Sequence, residues 1–177
     1  MSEVVTSLIP LANVPSEMVE ELLDRAFGEG RRSRTAYIVR EGTEWLPALS
    51  FAALDETEHL VGTIQAWPVA LTDPRGRAHP LLMVGPVAVL PEMQNQGYGR
   101  ALLAALTSAL VPPDAPAQPA LPQVLIGDPD YYARFGFSAD HTAGWRLPGP
   151  YEQHRLLARA NNPGILPREG MLGPWRG

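Results

Sequence analysis

Cysteine is absent from the 177 residues, which excludes disulfides, thiolate metal sites and a covalent cysteine mechanism. The four histidines, His59, His79, His141 and His154, are scattered without ligand spacing, so no metal site is expected. No apolar run approaches the ~20 residues that a helix needs to cross a bilayer. Positive charge is also scarce: the net charge of -5 runs against the basic stripe of a nucleic-acid surface and suits a cationic small partner better. The first residues, MSEVVTSLIPLANVP, lack the basic stretch and apolar core of a secretory leader, and a soluble, cytoplasmic protein is the expectation.

What is present is the composition of one globular domain. Hydrophobic residues make up 45% and charged residues 19%, enough apolar material for a core in a chain of this length. VVTSLI (4 to 9) reads as a strand. SEMVEELLDRAFG follows with Met18, Val19, Leu22, Leu23, Ala26 and Phe27 on one helical face, Ser16 as the expected cap and Gly28 as the stop. A second short helix is expected from Thr35 to Arg40. LSFAALD (49 to 55) and LVGTIQAWPVAL (60 to 71) form an expected antiparallel hairpin across ETEH. LLMVGPVAVL (81 to 90) is apolar enough for a central strand, and Gly85 with Pro86 predicts a bulge in it.

The chain then reads QNQGYGR (94 to 100) and continues as a helix with Leu102, Leu103, Leu106 and Leu110 on one face. Five prolines in VPPDAPAQPALPQ (111 to 123) predict a loop. VLIGD (124 to 128) is a short buried strand, DPDYYARFGF (128 to 137) a brief helix ended by Gly136, and 137 to 160 holds further strand material. Residues 161 to 177 read as an irregular tail. Together these elements describe a mixed α/β sheet covered by helices.

A glycine-containing turn between a buried strand and a helix leaves the first helical N–H groups pointing outward, where a phosphate is the natural ligand. Gly97 and Gly99 permit close approach and Arg100 adds charge. The same spacing serves equally well as a tight turn with no ligand. A lysine-type phosphate loop is excluded because neither GKS nor GKT occurs, and the dinucleotide fingerprint needs a different glycine spacing.

QNQGYG resembles the Gln/Arg-x-x-Gly-x-Gly/Ala signature of the GNAT superfamily, the GCN5-related N-acetyltransferases. GPVAVLPEMQNQGYGRALL is similar to their central motif, and DPDYYARFGF to the aromatic helix that closes the thiol end of their cofactor. The order of TAYIVREG, LVGTIQAWPV, GDPDYYARFGF and LPGPYEQHRLLAR is similar to the predicted bacterial acetyltransferases called YhbS-like. The resemblance covers about 4 to 160, so 1 to 160 is expected as a single acetyltransferase domain and 161 to 177 as its tail. It implies an α+β fold whose mostly antiparallel sheet splays between the fourth and fifth strands, with helices on both faces.

The resemblance further implies an enzyme that moves an acetyl group from acetyl-CoA to a primary amine of a small molecule or peptide, without a metal, as a monomer or homodimer. Val87, Ala88 and Val89 would run beside the pantetheine, and Gln94, Asn95, Gln96, Gly97, Tyr98, Gly99 and Arg100 would hold the pyrophosphate. The N–H of Val87 would polarise the thioester carbonyl.

Tyr132 would protonate the departing thiolate, with Tyr131 and Phe135 four apart on a core face and Tyr132 turned away from it. The alternative is a half-buried aromatic with a satisfied hydroxyl. Asp128 is a candidate base acting through water, although Asp before Pro129 is also what a helix cap looks like. Arg31, Arg32 and Arg34 read as a solvated basic loop, and Trp45 and Trp67 as pocket or core. A noncatalytic acyl-CoA-binding module is the competing function, and a structural domain without cofactor a third.

Overall fold

The computed structural model describes residues 7 to 111 and 120 to 175, so part of the proline-rich loop lies outside the described residues. The chain forms two compact units that alternate along the sequence: Met1–Arg32, Trp45–Ala66 and Gly85–Gln118 make the first, and Ser33–Glu44, Trp67–Val84 and Pro119–Gly177 the second.

In the first unit, β1 (Ser7–Pro10), β2 (Phe51–Leu54) and the opening half of β3 (Leu60–Thr72) pair antiparallel, with Ser7 opposite Leu54 and Phe51 opposite Ile64. The polar turn between β2 and β3 is closed by Asp55, whose Oδ1 accepts the N–H groups of Thr57 at 2.9 Å and His59 at 3.0 Å. α1 (Ser16–Phe27) buries Val19, Leu22 and Leu23. Ser16 is its first helical residue and not its cap; Pro15 precedes it with no side-chain cap bond, and Gly28, at φ 90°, ends the helix.

α3 (Tyr98–Ala109) buries Leu102, Leu103 and Leu106. Side chains alternate along β3, and α3 covers one face: a Cβ on Gly62 would meet Leu102 Cδ1 and the Ala88 carbonyl, each at 3.0 Å. Val61, on the other face, lines a cavity of about 390 Å³ together with Leu22 of α1. Helices therefore flank both faces here.

The second unit contains α2 (Thr35–Val39), the rest of β3, and the first part of β4 (Ala78–Val89). It adds β5 (Gln123–Ile126), α4 (Pro129–Tyr132), β6 (Gly144–Arg146), β7 (Leu156–Arg159) and β8 (Glu169–Pro174). Its core gathers Val69, Leu71, Leu81, Met83, Val124, Trp145, Leu156 and Leu172. Within this unit β5 lies between β4 and β7, and β8 lies beside β3 and β6. β4 and β5 are parallel, in register at Leu82 with Gln123 and Met83 with Val124 only, whereas β5 and β7 are antiparallel over four pairs. The parallel ladder thus stops early, as a splayed sheet requires. At the place of the expected bulge, Gly85 has φ 127° and a cis bond to Pro86.

The irregular tail expected over 161 to 177 is corrected by β8. Its residues Met171 and Leu172 pair antiparallel with Thr72 and Leu71, and Glu169 to Met171 pair parallel with β6. Leu172 is fully buried, and Trp145 Nε1 donates to the Pro167 carbonyl at 2.8 Å. Burial of such side chains is worth about 2 kcal/mol each, which fixes a segment that lacks strong strand character of its own.

Candidate active site

The first candidate region is built from backbone. Leu90 follows β4, buried, with its N–H on the Val61 carbonyl at 2.9 Å. A single 3-10 turn, Pro91–Met93, leads to Gln94, which is extended. Asn95 (φ 66°) and Gly97 (φ 90°, ψ 1°) are left-handed, a conformation that asparagine and glycine adopt most readily. Gln94, Asn95, Gln96, Gly97 and Arg100 are exposed.

Gly97 is the N-cap of α3 and makes no side-chain cap bond; the Ala101 N–H is bonded to the Gly97 carbonyl at 3.0 Å. The earlier helical amides of Tyr98, Gly99 and Arg100 therefore precede the intrahelical ladder, at the positive end of a helix of 12 residues. An anion fits this turn. The Tyr98 side chain is buried, 1% exposed, so it anchors α3 and only its backbone faces the turn. Burial, and secondarily the charges of Asp55 and Glu56, push its hydroxyl pKa up.

Upstream, Val87 and Val89 are half-buried while Ala88 between them is buried with its carbonyl against Gly62. The Arg25–Glu92 ion pair, at 2.5 Å, ties α1 to the 3-10 turn. Arg31 is not the solvated residue expected. It is 2% exposed, its Nε is 2.9 Å from Asp24 and its Nη2 pairs with Glu20. Helix one supplies both carboxylates from one face, three-and-four spacing that the loop arginine reads directly.

The second candidate region is built from side chains. Asp128 caps α4: its Oδ1 accepts the Asp130 N–H at 2.9 Å, and Pro129 occupies the first turn. Asp128 is exposed, so the capping alternative describes its observed contact. After Tyr132 the helix tightens into a 3-10 turn, Ala133–Phe135, ended by Gly136 at φ 87°.

The tightening corrects the expected facing. Tyr131 and Phe135 touch, with centroids 5.6 Å apart, yet both are only half-buried, as is Tyr132. Tyr132 is the ring that meets buried Phe137, at 6.1 Å, and it also packs edge-on against Tyr131 at 4.9 Å. A 3-10 turn repeats every three residues and not every 3.6, which brings Tyr132 and Phe135 (6.4 Å) together as well. Burial is the main cause that pushes the Tyr132 pKa up to about 12, helped by Tyr131 and Asp128 and opposed by Arg155. The hydroxyl consequently keeps its proton throughout the neutral range.

Several residues missed in the sequence hold this helix in place. Arg159 of β7 donates from Nη1 to the Phe135 carbonyl at 3.0 Å and from Nε to Gln123 Oε1 at 2.8 Å, with its guanidinium 4.5 Å from the Phe137 ring. Gln123 is buried and its amide donates to the Leu121 carbonyl. An arginine ending an apolar strand was the only available signal. Trp67 stacks against the buried Arg40 at 4.4 Å, with Tyr37 on the same guanidinium at 4.0 Å, so it serves the interior. Among the described residues no cluster of three or more His, Asp or Glu suits a metal ion, and no helix is long and apolar enough to cross a membrane.

A strand, an uncapped glycine turn and a long helix, with a short aromatic helix later in the chain, define the class: the model of the acetyltransferase (GNAT) family matches residues 16 to 113, and the chain belongs to that family. Among its relatives is the uncharacterized N-acetyltransferase YhbS of Escherichia coli K12, 28% identical over 149 residues that cover 81% of this chain and 83% of the relative. The structure of E. coli YhbS in complex with CoA is similar in fold (TM-score 0.71, 20% identity, 99% of this chain and 92% of that one). So is a GNAT family acetyltransferase from Brucella melitensis in complex with acetyl-CoA (TM-score 0.58, 24% identity, 97% and 96%).

Proposed function

We propose that this chain transfers an acetyl group from acetyl-CoA to a primary amine of a small molecule or peptide. Residues 94 to 100 hold the pyrophosphate, Val87, Ala88 and Val89 run beside the pantetheine, and Tyr132 protonates the departing thiolate. Acetyl-CoA supplies the activated acetyl group as a thioester. The observation that carries the catalytic reading is the placement of Tyr132, half-buried among the rings of Tyr131, Phe135 and Phe137, with a hydroxyl that holds its proton at neutral pH. Such a group donates a proton at neutral pH and does not serve as a base there. Support for the cofactor comes from the exposed left-handed turn and uncapped α3, and from the two fold relatives whose structures hold CoA or acetyl-CoA.

The net charge of -5 suits a cationic acceptor, which must lose its proton before attack, and disfavours nucleic acid as a partner. Residues 1 to 160 form the transferase domain in this reading, completed by β8. It acts in the cytoplasm, where acetyl-CoA is made and used, as a monomer or homodimer. Asp128 is committed to capping through Oδ1 and enters as base only through water. That commitment is what favours the second reading, a noncatalytic acyl-CoA-binding module.

Thiol release from acetyl-CoA over a panel of amines separates the two. The enzyme reading expects amine-dependent release that Tyr132→Phe slows while CoA affinity stays near wild type. Wild-type protein that releases no thiol with any amine of the panel supports the binding module instead, and equal turnover in Tyr132→Phe removes Tyr132 from its role.

A further inference from the structure

Tyr132 is boxed in by the rings of Tyr131, Phe135 and Phe137, and the end of β5 lies against it as well. Gly127 lies there, buried. A Cβ on Gly127 would stand 2.5 Å from Cε2 and 3.0 Å from Cδ2 of Tyr132, and 3.2 Å from Leu125 Cδ1. Real Cβ atoms do not come that close, so any side chain at 127 displaces the ring. Gly127 does not have the left-handed backbone found at Gly97 and Gly136; close approach of the tyrosine is what requires glycine here.

Gly127 is also held by one residue at both of its polar groups. Its N–H donates to the Arg155 carbonyl at 3.0 Å, and its own carbonyl accepts from Arg155 Nε at 3.4 Å. Arg155 precedes β7, is exposed, and is joined to Gly127 by its backbone carbonyl and by its side chain. Of the groups whose charge acts on Tyr132, namely Tyr131, Asp128 and Arg155, Arg155 alone favours the phenolate.

We propose that Gly127 and Arg155 are positioning residues for proton donation by Tyr132. The missing side chain at 127 seats the ring against the end of β5, and the guanidinium tied to the Gly127 carbonyl supplies positive charge when the phenolate forms. The inference rests on the reading of Tyr132 as the acid. In that step the Tyr132 O–H bond breaks and its proton joins the sulfur of the departing thiolate. The phenolate regains a proton from water, and the acceptor amine releases one to water, so charge and protons balance.

The test compares Gly127→Ala, Arg155→Gln, Arg155→Lys and Tyr132→Phe by kcat, by KM for both substrates, and by ultraviolet titration of the Tyr132 phenolate as wild type minus Tyr132→Phe. Arg155→Gln is expected to lower kcat roughly 5-fold to 10-fold with KM unchanged, a change of about 1 kcal/mol in the barrier. It also moves the Tyr132 titration to higher pH, and Arg155→Lys restores both. Gly127→Ala is expected to lower kcat by roughly 10-fold to 100-fold, as a displaced acid group does, without weakening CoA. Should Gly127→Ala fail to fold, the exposed Arg155 series decides alone. Wild-type kcat and titration in Arg155→Gln, beside a slow Tyr132→Phe, overturn the inference and leave the acid reading standing. A Tyr132→Phe variant as fast as wild type overturns both.

Discussion

Residues 94 to 100 and 128 to 137 are both short, both joined to a strand, and both shaped by a left-handed glycine, but they work through opposite parts of the chain. In the first, side chains are exposed or serve as anchors, as Tyr98 does, and the backbone amides of an uncapped helix face outward. In the second, the backbone is capped by Asp128 and tied down by Arg159, and Tyr132 lies half-buried beside the buried ring of Phe137. Under the proposed function, ligand affinity belongs to the turn and proton transfer to the aromatic helix. Substitutions should accordingly separate the two.

The largest separation is expected from Tyr132→Phe. Steady-state kinetics should show kcat lower by roughly 10²-fold to 10⁴-fold, the range of a lost general acid, with the KM for acetyl-CoA close to wild type. A rise in KM at constant kcat would reverse the assignment.

The next effect concerns stability and sharpens the claim that the tyrosine is shielded. A folded-state pKa of about 12 against an ordinary 10.0 gives stability that is complete below pH 10 and lost as pH rises through 12. The two values differ by an amount worth about 2 to 3 kcal/mol. Denaturant unfolding between pH 9 and pH 12, compared between wild type and Tyr132→Phe, should show the wild type losing that much more. Parallel curves would mean that the hydroxyl reaches water.

Gly97→Val makes the complementary cut. A Cβ added at Gly97 would have no neighbour within 4 Å, and its φ is 90°, so the cost expected of a β-branched residue there is backbone strain of about 1 to 3 kcal/mol. Calorimetric titration should show CoA affinity weaker by about 10-fold to 100-fold, with kcat at saturation retained.

Legibility in the sequence divides along the same line. The turn was readable because local rules govern it: an apolar strand, glycines at fixed offsets and a helix of leucines specify geometry without distant partners. The hairpin, α1 and α3 were readable by their periodicity. Tyr132 is singled out by family resemblance, but its facing is not legible, because a four-residue helix that tightens into a 3-10 turn breaks the periodicity used to orient it. Gly127 carries no mark of its role, since its need for glycine lies in the approach of a ring five residues later. β8 was missed for a related reason: EGMLGP has few strand formers, and its place is set by Leu71, Thr72 and β6, remote in sequence.

Thermal unfolding of the wild type with CoA and with pantetheine, which lacks the pyrophosphate, tests the central claim most directly. If residues 94 to 100 hold the pyrophosphate, CoA at ~1,000 times its Kd stabilises the protein by about 4 kcal/mol, and pantetheine at the same concentration gives a far smaller shift. Equal shifts from the two compounds, or none from CoA at millimolar concentration, would contradict it.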